Sequence, residues 1–222
     1  MTTSFAPRYD LVIFDCDGVL IDSEPIANRV LAQRLGLIGL SMSEDEVMRR
    51  FVGRTRAGCL ALAKDLLGRE LPEGFAQEWD AALFAALEAE LEAVEGVADL
   101  LHGLRLPYCV ASNGSPDRVR FSLRTCGLLP LFEGRVFSAA DVANPKPAPD
   151  LFLHAARSLG AEPSRCAVIE DTPTGVAAGV AAGMTVFGYV GGNAASIPVL
   201  KKAGAAVFDR MAALPALLLS EG

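Results

Sequence analysis

Apolar residues in this chain gather in short unbroken runs, and each run halts at a polar or small residue. LVIF halts at Asp15, YCVA at Ser112 and Asn113, RVF at Ser138, CAVI at Glu170 and Asp171, and TVFGYV at Gly191. A strand wetted on one face alternates apolar and polar positions, whereas a strand covered on both faces reads as a continuous apolar run. The runs therefore predict a parallel sheet. Between them, residues 116–125, 149–159 and 173–182 carry helical patterns, and several such segments open on proline, which suits a first helical turn. Strand–helix alternation predicts an α/β fold with a Rossmann-like open parallel sheet.

One interval breaks the rhythm. Asp15 and Ser112 lie 97 residues apart, far more than a crossover helix needs. Helical patterns fill the gap at 26–35, 44–51, 57–67 and 73–94, the last rich in Ala, Leu and Glu. The spacing predicts a small α-helical cap domain over residues 22–94, inserted after the first strand and hinged near Ile21–Glu24 and Val94–Val97. Residues 1–21 and 95–222 would form the α/β core domain.

Residues 172–200 contain no charge, and Gly175, Gly179 and Gly183 stand at the GxxxG spacing of membrane helix pairs. Pro173 and Pro198 bracket the stretch and further glycines interrupt it, so it reads as a helix packed closely on a sheet and then a strand. No membrane span is expected. The 222 residues carry a net charge of −7 and a pI near 4.9, which argues against a nucleic-acid partner. An anionic substrate would need a local positive pocket or a metal ion. Five scattered cysteines without CxxC spacing fit a reducing cytoplasm, and MTTSFAPRYD shows no signal-peptide pattern.

In open α/β sheets, ligands bind beyond the carboxyl ends of the strands. Asp15, Ser112, Glu170 and Asp171 all fall there. Asp15 and Asp17 are two apart, so on extended backbone they face one way. Two carboxylates at about 4 Å repel by roughly 4 kcal/mol at an effective dielectric near 20. With Glu170 and Asp171 beside them, the site needs a cation. Hard oxygen ligands without clustered histidine point to Mg²⁺. Asp15 could then attack phosphorus, and Asp17 could serve as acid and base. Ser112, the backbone amides of Asn113 and Gly114, and Lys146 in NPKPAPD are candidate donors to phosphoryl oxygens.

These segments resemble a known family. DCDGVLIDSE, ASNGS, KPAPDLFLHAA and IEDTPTGVAAGVAAGM are similar, in order and spacing, to the four motifs of the haloacid dehalogenase superfamily. The inserted helical segment resembles the capped subfamily of β-phosphoglucomutase, sugar phosphatases and phosphoglycolate phosphatases. The resemblance implies that Asp15 is the nucleophile, Asp17 the acid/base, and Ser112 and Lys146 the phosphoryl ligands. It implies that Asp171 binds Mg²⁺ with Asp15 and the Asp17 carbonyl, while Glu170 supports the metal directly or through water. The name-giving dehalogenases lack the second aspartate, so Asp17 implies phosphoryl chemistry.

Two departures bear on subtype. Ala27 and Ser115 stand where β-phosphoglucomutases carry histidine and lysine, which favours hydrolysis over mutase chemistry. In FVGRTRAG, Arg56 matches the arginine of a substrate-recognition loop, with Arg54 nearby; either could meet a distal phosphate or carboxylate. The expected activity is a Mg²⁺-dependent phosphatase acting on a small phosphorylated metabolite, a sugar or sugar-acid phosphate. A phosphosugar mutase and a non-catalytic binding protein are the alternatives, and the protein is expected as a monomer or small homo-oligomer.

Overall fold

The computed structural model describes residues 8–51, 54 and 56–219. Its order is β1 (Leu11–Phe14), α1 (Glu24–Leu37), α2 (Glu44–Phe51), α3 (Arg56–Leu67), α4 (Phe75–Glu90), α5 (Val97–Gly103), β2 (Tyr108–Ser112), α6 (Pro116–Thr125), β3 (Val136–Ser138), α7 (Asp150–Ser158), β4 (Cys166–Glu170), α8 (Pro173–Ala181), β5 (Thr185–Tyr189), α9 (Ile197–Ala203), β6 (Ala206–Phe208) and α10 (Leu214–Leu219). The chain divides into two compact units, one of residues 1–22 and 93–222 and the other Ser23–Glu92.

The first unit holds a six-stranded sheet in the order β3-β2-β1-β4-β5-β6, every pairing parallel. This is a Rossmann-like α/β fold. Each residue of β1, β2 and β4 is buried, which explains their continuous apolar sequence. Strand order reverses direction between β1 and β4, so the connections leave a crevice at their carboxyl ends. The ladder persists past β1, where the Asp15 amide donates to the Ile169 carbonyl at 2.9 Å. Asp15 is thereby set beside the end of β4.

Close packing holds α8 on the sheet. A Cβ at Gly179 would press on the Val186 and Val168 side chains, so the small-residue spacing serves a helix–sheet contact. Among the described residues, no helix is long and apolar enough to cross a membrane. The second unit packs α1 to α4 around Leu31, Leu35, Val47, Phe51, Cys59, Ala63 and Phe75. Its fourth helix stops at Glu90, short of the expected 94, because the buried Leu91 turns extended and leads the following segment out of the helix. That segment returns to the first unit, where Val94 donates to the Leu20 carbonyl and Ala93 bridges Ile21.

Candidate active site

After β1, the backbone closes into a tight loop rather than continuing as strand. Leu20 and Ile21 donate to the Cys16 carbonyl at 2.9 and 3.1 Å, and Gly18 donates to the Ile21 carbonyl at 2.8 Å. Gly18 sits at φ +78°, and a Cβ there would collide with the Asp171 carboxylate. Only glycine meets both conditions. Asp15 and Asp17 are thus presented by a loop closed by its own backbone hydrogen bonds, with Asp171 pressed against its turn.

Asp15 lies almost wholly buried, as do Lys146 and Glu170. Lys146 Nζ donates to Asp15 Oδ1 at 2.5 Å and to Glu170 Oε1 at 2.8 Å. It also stands 4.6 Å from the centre of the buried Phe152 ring, a favourable cation–π distance. Burial raises the Asp15 carboxyl to about 7 against the lowering pull of Lys146. Burial acts to lower the Lys146 ammonium, but the two carboxylates outweigh it and hold the group above its ordinary value. Lys146 is a charged, buried bridge.

Glu170 is occupied at both oxygens. Oε2 accepts from the amides of Asp171 and Thr172 and from the Thr172 hydroxyl, at 3.0, 2.9 and 2.9 Å. The carboxylate lies so close to α8 that any Cβ at Gly175 would overlap it. Asp171 completes an acidic group in which Asp15, Glu170 and Asp171 each offer a ligand oxygen, all within 4.8 Å of one another. One ammonium shared by two carboxylates leaves excess negative charge, and these hard oxygens suit a divalent cation such as Mg²⁺. The donor set fits the metal expected.

Ser112 ends β2 with its side chain buried, and its Oγ accepts the Gly114 amide at 3.0 Å. Asn113 acts through its side chain. Its Nδ2 donates to the Lys146 carbonyl at 3.0 Å, while its Oδ1 accepts the Lys146 amide at 3.1 Å. This two-point contact fixes the backbone from which the ammonium projects. Asp17 is less enclosed, and its Oδ1 accepts from Arg118 Nη2 at 2.9 Å.

A family model for haloacid dehalogenase-like hydrolases matches residues 9–183. The chain belongs to this family. The 6-phosphogluconate phosphatase of Escherichia coli (strain K12) is 34% identical over 181 residues, covering 81% of this chain and 82% of that protein. A conserved haloacid dehalogenase-like protein from Agrobacterium tumefaciens has a crystal structure that matches with a TM-score of 0.85 at 37% identity, over 95% of this chain and 97% of that one. A haloacid dehalogenase family hydrolase from Deinococcus radiodurans R1, solved with bound phosphate and sodium, matches with a TM-score of 0.81 at 34% identity, over 98% and 100%.

In this haloacid dehalogenase-like hydrolase, Asp15, Asp17, Ser112, Asn113, Gly114, Lys146, Glu170 and Asp171 all belong to the α/β unit. Arg54 and Arg56 belong to the helical unit. There the Arg56 guanidinium pairs with Asp80 through Nε at 2.9 Å and Nη2 at 2.5 Å, and Nη2 also reaches the Ala76 carbonyl at 3.2 Å. Arg54 Nε donates to the Arg50 carbonyl at 2.7 Å. Val52, Gly53 and Thr55 of the same motif lie outside the described residues.

Sequence reasoning passed over Arg118 and the side-chain role of Asn113. A signal existed for the first. Arg118 is the third residue of α6, where a positive charge opposes the helix dipole. A cation placed against the field needs a partner, and Asp17 supplies one.

Proposed function

We propose that the protein is a Mg²⁺-dependent phosphatase that hydrolyses a small phosphorylated metabolite, a sugar or sugar-acid phosphate, through an aspartyl-phosphate on Asp15. The carrying observation is the convergence at the β1 and β4 ends of Asp15, Glu170, Asp171 and the Lys146 bridge, with Asp17 on the loop that follows Asp15. Asp15, Asp171 and the Asp17 carbonyl would hold Mg²⁺, with Glu170 assisting directly or through water. The ion would offset negative charge on the transferring phosphoryl group.

The remaining chemistry is the chain's own. An Asp15 carboxylate oxygen forms a bond to phosphorus as the bond to the leaving oxygen breaks, and Asp17 gives its proton to that oxygen. Water then attacks phosphorus while Asp17 takes its proton, and the Asp15 carboxylate is released with inorganic phosphate. Lys146 and Ser112 donate to phosphoryl oxygens through both steps. Asn113 keeps Lys146 in place, and the Gly114 amide is a further donor. In the helical unit, Arg54 and Arg56 would recognise the distal part of the substrate. The similarity to a 6-phosphogluconate phosphatase supports a sugar-acid phosphate.

Ser115 counts against the mutase alternative, because its hydroxyl caps α6 by accepting the Arg118 amide. A panel of phosphate esters tests the reading. Phosphate release should require Mg²⁺, and Asp15→Asn should lower it by at least roughly 10⁴-fold. Metal-independent turnover or an active Asp15→Asn would overturn the mechanism. An isomerised sugar phosphate formed without free phosphate would select the mutase.

A further inference from the structure

Asp17 differs from the other carboxylates of the site in what holds its side chain. Asp15 and Glu170 are buried and bridged by Lys146. The Asp17 side chain is 30% exposed, and its backbone is fixed by the Cys16–Ile21 loop. Backbone fixation alone does not set its two side-chain torsions. A contact that constrains them is Arg118 Nη2 donating to Oδ1, at 2.9 Å.

Arg118 is well built to hold that contact. It stands in the first turn of α6, whose start is set by the Ser115 cap on the Arg118 amide and by the buried Val119 and Leu123 on the inner face. Its Nε is buried without a hydrogen-bond partner among the described residues. A guanidinium kept partly buried at the wrong end of a helix dipole has a use beyond surface solvation.

We infer that Arg118 is the positioning residue for the acid/base carboxylate: it fixes Asp17 in the orientation from which a proton passes to the leaving oxygen. The inference rests on the phosphatase reading above, specifically on Asp17 as acid and base. General acid catalysis demands hydrogen-bond reach to the accepting atom. Misplacement of a catalytic group by about 1 Å costs roughly 100-fold. With Arg118 gone, Asp17 would keep its chemistry and lose its aim.

The readout is leaving-group dependence. An alkyl phosphate expels a strongly basic alkoxide and needs the Asp17 proton, whereas p-nitrophenyl phosphate expels a stable phenolate and hardly needs it. The measurement is kcat/KM, which reports steps only as far as phosphoryl transfer to Asp15, on wild type, Arg118→Met, Arg118→Lys and Asp17→Asn. For Arg118→Met, kcat/KM should fall on the order of 100-fold with alkyl esters and by about threefold or less with p-nitrophenyl phosphate. Arg118→Lys should restore part of the alkyl activity, because it keeps charge but loses the planar fork.

An equal fall on both ester classes in a folded Arg118→Met protein, with Asp17→Asn still selective for alkyl esters, would overturn the role of Arg118 and leave the acid/base reading standing. A fall that follows a second anionic group on the substrate, whatever the leaving group, would also overturn it, by making Arg118 an anion receptor. Should Asp17→Asn turn over alkyl esters as wild type does, the acid/base reading itself would fall. Thermal unfolding identifies a misfolded variant, and Arg118→Lys then carries the same comparison of ester classes.

Discussion

The two units of this hydrolase use charge in opposite ways. In the α/β unit, Asp15, Lys146 and Glu170 are withdrawn from water and paired with one another. In the helical unit, Arg29–Glu90, Arg34–Glu78, Arg56–Asp80 and Lys64–Glu70 pair the same kinds of side chain at a wetted surface. Withdrawing an ion from water costs several kcal/mol, and its partner rarely returns the whole amount. Exposed pairs are inexpensive and weak, typically contributing about 0–1 kcal/mol. The α/β unit therefore carries a destabilising arrangement that only chemistry accounts for. The helical unit folds on its apolar cluster, and its ion pairs decorate it.

Removing Lys146 should break the contrast most forcefully. Lys146→Met strips the shared counter-ion from Asp15 and Glu170 and leaves both carboxylates buried. Breaking a buried pair from one side costs about 3–5 kcal/mol, so urea unfolding should register a loss of that order, alongside loss of turnover. Combining it with Asp15→Asn and Glu170→Gln should return most of the lost stability, because neither carboxylate of the bridge would remain as a buried ion without its counter-ion. A Lys146→Met protein as stable as wild type would mean that the ammonium is not buried in solution.

The helical unit supplies the matched experiment. Arg56 and Asp80 make a bidentate pair with side chains 50% and 43% exposed. Arg56→Ala should change unfolding stability by less than about 1 kcal/mol, and added salt should shrink the difference. Any larger effect on activity would then be attributable to substrate recognition rather than to folding. Stability and kcat/KM measured together on this variant separate the two roles.

The same division decides what was legible in the sequence. Strands β1, β2, β4 and β5 announce themselves because burial on both faces disfavours polar positions, and the acids that end the β1 and β4 runs stand out by contrast. β6 went unread: Ala206–Phe208 is an edge strand of three residues with its first position exposed. α5, α9 and α10 are too short to establish a period. Asp15, Glu170 and Lys146 could be nominated from local rules about strand ends and proline-flanked loops. The Lys146 bridge joins residues 131 and 24 positions apart, and Arg118 reaches across 101 positions to Asp17. Such pairings come from strand order, which single-chain patterns do not specify. Arg56 matched a recognition motif, yet its link to Asp80 depends on how α3 lies against α4, again a matter of packing.

The smallest expected effect asks whether burial, rather than membership of a unit, divides the charges. Asp10 and Arg165 belong to the α/β unit but pair at its surface, with Arg165 Nε and Nη2 at 2.5 and 2.7 Å from the carboxylate. The Arg165 hydrogen bond holds the Asp10 carboxyl below its ordinary value of 3.8. A carboxyl lowered by folding contributes stability that is present above the unfolded-chain value and lost as pH falls through the folded one. Asp10→Asn should accordingly unfold slightly more easily than wild type near neutrality, with the gap closing as pH drops below 3.8. Thermal unfolding at low salt across that range measures it, and raising ionic strength should narrow the gap at every pH. If this exposed pair moved stability as far as Lys146→Met does, desolvation would not be what sets the site apart, and the reading of Lys146 as a buried bridge would lose its physical basis.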